Sequence, residues 1–404
     1  MAARTPVVCL VTLHGVGFQQ RPVDGRPGYA DALHAGLRPL LDGLGEDPER
    51  PETGGPVYVQ STWPPEEQDV EAGLERLGSW LPDSPWRVDD RRPLVRDGAR
   101  VAHVALVYSH LEEQYGDHIA AVASAVLGAS LVTHYASVTG LVRGIVHDVG
   151  AILAHRDPPA QTGPGSLRVR SEAPALQQRL THLGRAPSAS APDDGLVTVL
   201  QQVEDDVCAY VCRNLLRERL RAFVREALTR LAMRQDVAAL VVNGHSNGTV
   251  VAHDVLAALP RPVISRVAAI VTAGSPLRKY VDLLAWGSDG GALGHVVRPD
   301  LWTNFYDPVD PVADPLGPPA EWRRGSELPA GGGPGLFVAN VGSAGPIPVQ
   351  DRFLDNLTDS AGTGLRAHNY WDNPKFREQL AAVLRSALTR QPGPPSPAAP
   401  PTPV

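Results

Sequence analysis

The 404-residue sequence is poor in cysteine, in lysine and in clustered positive charge. Its three cysteines, Cys9, Cys208 and Cys212, form no disulfide framework, which favours a reducing compartment. Cys208 and Cys212 lie one helical turn apart, but no further cysteine or histidine is near them in the sequence, so core packing is expected there rather than a metal site. The formal net charge of −7 gives no electrostatic reason to expect a nucleic-acid partner.

The few lysines are not part of a phosphate-binding motif. Lys279 and Lys375 are the only lysines, and neither follows a glycine-rich phosphate-binding loop, so the sequence implies no cofactor. An apolar run begins at residue 6 and leaves no room for a signal peptide before it. We therefore expect a cytoplasmic protein, or one that is peripheral on the cytosolic face of a membrane.

One long segment has no charged residues. Residues 119–142 contain no Asp, Glu, Lys or Arg, and the apolar character continues to residue 154. This length would suit a transmembrane helix, but the segment is rich in Ala, Gly, Ser and Thr and has no flanking basic cluster. We predict two small-residue helices packed on the core, with a lid or a peripheral membrane contact through 119–154 as the alternative. Residues 110–195 thus form a helical insertion with its connector, and the Pro-rich tail 391–404 is predicted to be disordered.

Residues 237–259 combine a buried strand, a tight turn and a helix. The first six residues are an unbroken apolar run, typical of a strand buried on both faces. The turn has the sequence Gly-His-Ser-Asn-Gly over 244–248, and apolar residues recur at helical spacing after it. A serine in this context fits a nucleophile elbow, in which the two glycines avoid collision with the neighbouring strand and helix. We therefore predict that Ser246 is a nucleophile.

A second apolar run, residues 6–13, ends in His14-Gly15-Val16-Gly17. The main-chain N–H groups of such a loop can approach a reacting carbonyl oxygen closely, because glycine has no side chain. His14 itself is expected to brace the loop rather than to act as an acid or a base.

The remaining pattern is an alternation of strands and helices, which predicts a mostly parallel sheet covered on both faces. Further strands are predicted over residues 57–63, 101–108, 263–272 and 301–306. Helices are predicted over residues 29–44 and 73–81, from 197 through 231, and from Pro374, which Asn373 would cap.

A serine nucleophile needs a base, and the base needs an acid that orients it. In the chain order serine, acid, histidine, only His295 and His368 follow the elbow and its helix, and His295 precedes every candidate acid. His368 comes immediately before the last helix and is the predicted base. Asp307, Asp310 and Asp314 all follow the strand 301–306. Asp310 is the first choice, because the Pro-Val after it would tuck the next residue into the core, and Asp307 is the second.

In combination these segments resemble the α/β-hydrolase superfamily, in its serine esterase and lipase branch. The resemblance is carried by the loop 14–17, by residues 244–248, 272–277 and 310–312, and by His368 with Tyr370 and Trp371. It covers about the first sixty residues and residues 237–388, and leaves out the insertion. The family implies an α/β-hydrolase fold, with an eight-stranded, mostly parallel central sheet flanked by helices, and the helical insertion as a cap or lid.

The resemblance also implies site residues. It assigns a triad of Ser246, His368 and Asp310, and an oxyanion hole formed by the amide of Asn247 and by one amide of the loop that contains Gly15 and Val16. His245 would be a packing residue beside the elbow. Asn247 departs from the family, where a hydrophobic or glutamine side chain is commoner, but only its amide is needed.

The leading hypothesis is a catalytic domain over residues 1–390 that hydrolyses carboxylic esters, of lipids or other acyl compounds, through an acyl-enzyme on Ser246. Two alternatives stay open at this point. An acyltransferase or thioesterase would use the same triad, and a non-catalytic protein with this fold would bind lipid or a protein partner without turnover.

Overall fold

A computed structural model describes residues 6–15, 21–23, 25–50, 54–61, 73–108, 210, 214–278, 302–308, 310, 312–317, 337–339, 347–360 and 366–390. The predicted insertion 110–195, its apolar segment 119–154 and the tail 391–404 lie outside these residues. Within the described ranges, none of the helices combines the length and the hydropathy needed to cross a bilayer.

Most of the strands form one central sheet. In chain order the strands are β1 (Val7–Leu13), β2 (Val57–Gln60), β3 (Ser79–Leu81), β4 (Ser84–Asp89), β5 (Val101–Val107), β6 (Val237–His245), β7 (Val267–Ala273), β8 (Trp302–Tyr306), β9 (Val338–Ala339), β10 (Ile347–Pro348) and β11 (Gln350–Phe353). Seven of them form a sheet in the order β11-β8-β7-β6-β1-β5-β2, and every neighbouring pair in it is parallel. The predicted mostly parallel α/β sheet is therefore confirmed, with seven strands among the described residues where the resemblance implied eight.

Helices pack on this sheet in two groups. They are α1 (Asp31–Leu37), α2 (Asn214–Met233), α3 (Gly248–Ala257), α4 (Arg261–Ile264), α5 (Asn356–Asp359) and α6 (Pro374–Thr389). Helix α1 packs against α6, while α2 packs against α3 and α4. Right-handed crossovers put α1 and α3 on opposite faces, because the chain leaves β1 and β6 in opposite directions along the sheet. Strands β1 and β5 are accordingly buried at every residue.

The sheet order places a topological switch point, where open α/β sheets form a ligand crevice, between β1 and β6. From β1 the chain moves to β2 and β5 on one side, and from β6 it moves to β7, β8 and β11 on the other. Ligands of open α/β sheets bind outside the carboxyl ends of the strands at such a switch point. The predicted site residues follow strands at this edge of the sheet.

Several element predictions were wrong in detail. Residues 263–272 were expected to form one strand, but α4 occupies their beginning and β7 starts only at Val267. The predicted helix over 73–81 is a single 3-10 turn, Leu74–Leu77, followed by the hairpin of β3 and β4. Gly73 and Gly78, at φ 86° and 100°, bound this turn and stop it from continuing as a helix. The helix predicted over 29–44 ends at Leu37, and a 3-10 turn containing a proline follows it.

Candidate active site

Ser246 lies in a strained turn between β6 and α3. Its φ of 54° makes it the one non-glycine residue with positive φ in the described part of the chain, and its N–H donates to Ala273 O at 2.9 Å. A Cβ on Gly244 would lie 3.0 Å from Gly248 O, and a Cβ on Gly248 would overlap His14 O. The structure therefore has the strand, turn and helix that the sequence predicted; a side chain at position 248 would collide with backbone, and one at position 244 would be tightly packed.

The loop after β1 lies directly against Ser246. A Cβ on Gly15 would overlap Ser246 Cβ and would lie 2.9 Å from its Oγ. Ser246 is 1% exposed, and its Oγ has no hydrogen-bond partner among the described residues. Because buried polar atoms are normally paired, an unpaired hydroxyl at this position points to a chemical role.

Asp310 and His368 form a hydrogen-bonded pair. His368 Nδ1 lies 2.8 Å from Asp310 Oδ2, and the Asp310 side chain is fully buried. Burial raises the pKa of Asp310, but the His368 imidazole and hydrogen bonds from His368, Val312 N–H and Tyr370 Oη outweigh it, so the pKa lies below its usual value. An ionised carboxylate only accepts hydrogen bonds, so Nδ1 of His368 donates the proton in this contact.

His368 lies on the same edge of the sheet as Ser246. A Cβ on Gly274, which directly follows β7, would lie 2.7 Å from His368 Cε1. The His368 ring also lies 4.7 Å, centroid to centroid, from the ring of His245, the residue before the nucleophile. Its Nε2 is buried without a hydrogen-bond partner among the described residues. Ser246, His368 and Asp310 thus follow or contact the ends of the neighbouring strands β6, β7 and β8.

Asp307, the second choice for the acid, has a different set of contacts. Its Oδ2 accepts a hydrogen bond from Asn356 N–H at 2.8 Å, at the start of α5. Its own N–H donates to Tyr370 Oη at 2.7 Å. Of the two candidates, Asp310 is the one that hydrogen-bonds His368, whereas Asp307 hydrogen-bonds Asn356 and Tyr370.

His14 braces the loop, as the sequence predicted. Its Nδ1 donates to Gly15 O at 2.9 Å, its Nε2 accepts from Tyr108 N–H at 3.2 Å, and Tyr108 Oη donates to His14 O. Both ring nitrogens are engaged, so His14 is not available as a base. Of the predicted oxyanion-hole residues, Gly15 contacts the nucleophile and Asn247 begins α3, whereas Val16 lies outside the described residues.

The sequence analysis missed the roles of two neighbours. Tyr370 was noted only as part of the resemblance, yet its Oη donates to Asp310 Oδ2 at 2.9 Å. His245 was expected to pack beside the elbow, and its Nε2 also donates to His368 O at 2.8 Å. Burial, followed by the nearby His368, lowers the pKa of His245 to about 3, which keeps its ring neutral. The one sequence feature that could have indicated the role of Tyr370 is its position two residues after the predicted base.

The arrangement suits proton transfer and nucleophilic attack. Among the described residues, no three His, Cys, Asp or Glu side chains are grouped so that they would hold a metal ion. The buried Cys9 is no competing nucleophile, because burial raises the pKa of its thiol far above the usual range. Comparisons of the chain with protein-family models, with curated proteins and with solved structures found no match.

Proposed function

We propose that this protein is a serine hydrolase with an α/β-hydrolase fold, which cleaves carboxylic esters through an acyl-enzyme on Ser246. The observation that carries the proposal is the strained, unpaired Ser246 at the edge of the sheet where His368 is already paired with the ionised Asp310. The lipid or other acyl ester would enter at the crevice beyond β1 and β6.

The chemistry follows from the protonation states. Ser246 Oγ attacks the ester carbonyl carbon while Nε2 of His368 takes the hydroxyl proton, and a C–O bond forms. The tetrahedral intermediate collapses, the alkoxide leaves with the proton from Nε2, and the acyl group stays on Ser246. Water then repeats the sequence, releases the acid and restores the serine. Asp310 holds the Nδ1–H tautomer throughout and stabilises the imidazolium.

The developing oxyanion needs hydrogen-bond donors. The amide of Asn247 comes directly after the nucleophile, at the N-terminal end of α3, where the helix dipole favours negative charge. The backbone at Gly15 contacts Ser246 and is the second element of the proposed oxyanion hole. This assignment agrees with the need for glycine at position 15.

The other functions considered for this chain are less well supported. A non-catalytic lipid-binding or protein-binding role gives no reason for a strained Ser246 or for two unpaired buried atoms, Ser246 Oγ and His368 Nε2. An acyltransferase or thioesterase would use the same steps with another acceptor or a thioester. Product analysis with alcohol and thiol acceptors would separate these from hydrolysis.

Turnover of a chain-length series of p-nitrophenyl esters tests the proposal. The wild type should release nitrophenol, and Ser246→Ala should lose activity by several orders of magnitude. Ser275→Ala is the matched control, because Ser275 is also buried at this edge of the sheet but its hydroxyl is paired with Thr249 Oγ1 at 2.8 Å. Equal activity of wild type and Ser246→Ala would refute the proposal. A rate gain with liposomes would favour a lipid substrate.

A further inference from the structure

We infer that Tyr370 is a positioning residue, whose hydroxyl fixes the Asp310 carboxylate on His368 and sets the pH at which the pair becomes active. This inference rests on the proposed serine-hydrolase function. It concerns a side chain that contacts neither Ser246 nor the crevice in any hydrogen bond of the described residues, and so acts through Asp310.

The direction of the hydrogen bonds at Tyr370 follows from its partners. The backbone N–H of Asp307 can only donate, so Tyr370 Oη accepts there at 2.7 Å. The single hydroxyl proton is then directed at Asp310 Oδ2, 2.9 Å away. The same oxygen accepts from Nδ1 of His368, and the other carboxylate oxygen accepts from Val312 N–H at 2.9 Å. Three donors therefore fix the rotation of the carboxylate.

Burial strengthens the hydrogen bond from Tyr370 Oη to Asp310 Oδ2. Tyr370 is fully buried and Asp310 is 3% exposed, so water does not replace a lost donor easily. The ring of Tyr370 packs edge-on to His368, with centroids 6.1 Å apart, and a Cβ on Gly274 would lie 2.9 Å from Tyr370 Cε2. The phenol is thus held between the end of β7 and the acid, and its hydroxyl has little freedom to turn elsewhere.

The titratable groups around the pair are few. From β6, His245 faces both Tyr370 and His368, and its ring stays neutral because its pKa is lowered to about 3. Burial, followed by the nearby Asp310, raises the pKa of Tyr370, which stays protonated as a donor, and Asp307 in the loop after β8 adds to this effect. Among the described residues, the side-chain groups that hydrogen-bond Asp310 are the hydroxyl of Tyr370 and the imidazole of His368.

Removing the hydroxyl of Tyr370 should raise the affinity of the Asp310–His368 pair for a proton. The Asp310 carboxylate would lose one of three donors that stabilise its ionised form, and it would then bind the His368 imidazolium more tightly. The loss of a charge-assisted hydrogen bond in a buried site is sufficient to shift the pH at which the Asp310–His368 pair titrates by about one unit. The carboxylate would also rotate more freely, which slows each proton transfer.

The test is Tyr370→Phe, which keeps the ring and removes only the hydroxyl. We expect the acid limb of the kcat/KM profile to move up by about one pH unit. We expect kcat on its plateau to fall about tenfold with KM changed less than twofold, because Tyr370 does not contact substrate. In an Asp310→Asn background the effect of Tyr370→Phe should vanish, because the two changes act through one contact.

The chain offers a matched control in Tyr58→Phe. Tyr58 is 4% exposed, its Oη donates to the Asp31 carboxylate at 2.8 Å, and it accepts from Ala30 N–H at 3.1 Å. This repeats the hydrogen bonds of Tyr370 away from the proposed triad. Tyr58→Phe should lose a similar amount of thermal stability and leave the acid limb in place. Equal pH profiles for the wild type and both variants, or the same shift in both variants, would overturn the inference.

A histidine titration by nuclear magnetic resonance separates this inference from the proposed function. The pH at which the Asp310–His368 pair titrates should be higher in Tyr370→Phe than in the wild type, whether or not the protein turns over the esters tested. An unchanged His368 titration in a folded Tyr370→Phe variant would refute the role of Tyr370. Absence of esterase activity in the wild type would instead refute the proposed function.

Discussion

At the scale of single residues, Ser246 combines strain with an unpaired hydroxyl. A non-glycine residue at φ 54° costs on the order of 1–3 kcal/mol, which the surrounding contacts must compensate. Here Gly15, Gly244 and Gly248 allow three pieces of backbone to approach the turn. Strain of this kind persists where the surrounding structure fixes it, and in the proposed enzyme it presents the hydroxyl at the edge of the sheet.

The choice between the two candidate acids is testable at this scale. Asp310→Asn should lower kcat for esters by roughly 10³- to 10⁴-fold, because an amide donor facing Nδ1 favours the wrong imidazole tautomer. Asp307→Asn should lower kcat less than tenfold, since its carboxylate bonds Asn356 N–H rather than His368. Steady-state kinetics checks both, with circular dichroism as a control for folding. A larger loss in Asp307→Asn would contradict the assignment.

Some of the site residues could be predicted from the sequence and others could not. Ser246 could be predicted because two glycines, a buried strand and a helix surround it, and His368 because no later histidine competes. Asp310 was a choice among three carboxylates within eight residues, and spacing does not tell which of them the loop turns toward the base. The hydrogen bond of Tyr370 could not be predicted, because it depends on how two loops meet over β7.

At the scale of elements, two buried histidines join α1 to the sheet. His34 Nδ1 lies 3.2 Å from His103 Nδ1, and His103 Nε2 lies 2.8 Å from Thr12 Oγ1. A nitrogen-to-nitrogen hydrogen bond needs one donor and one acceptor, so protonation of both rings would break it. Burial, followed by the nearby Arg38, lowers the pKa of His34 to about 4, and burial, followed by His34, lowers the pKa of His103 well below its usual value.

Because of the His34–His103 pair, we expect the protein to lose stability in mild acid. A histidine with a lowered folded-state pKa stabilises the protein fully above the unfolded value near 6.5, and this contribution is lost as the pH falls toward 4. For His34 the loss between pH 7.5 and 5 is roughly 2 kcal/mol. Urea unfolding at both pH values measures it. The loss should be smaller in His34→Gln, and an equal loss in both proteins would contradict the role of the pair.

The elements that the sequence predicted best are those buried on both faces. Strands β1, β5 and β6 consist mostly of buried apolar residues, and the cap of α6 was predicted because Asn373 and Pro374 have strong positional preferences. Strand β11 was missed, because its polar and largely exposed residues at the edge of the sheet give no apolar pattern. The hairpin of β3 and β4 was missed because the buried Arg230 of α2 and the buried Arg234, which follows α2, donate hydrogen bonds to Gly78 O and Leu77 O before it, and such contacts have no local pattern.

At the scale of the whole molecule, the sheet order sets the spacing of the proposed triad. Ser246 follows β6 and Asp310 follows β8, with β7 between them. Neighbouring strands lie about 4.8 Å apart, so about 10 Å separates the first strand from the third, and the His368 imidazole, which lies over Gly274 at the end of β7, is placed to link them. The parallel sheet could be predicted from alternating strands and helices, but the convergence of three loops over β7 needed the structure.

Covalent labelling with a fluorophosphonate, followed by peptide mapping by mass spectrometry, tests the central claim most directly. This probe reacts with a serine only where a base activates the hydroxyl. The account predicts one adduct on the peptide that contains Ser246, its loss in Ser246→Ala and its retention in Ser275→Ala. No adduct on the wild type, or an adduct on another residue that persists in Ser246→Ala, would contradict the account.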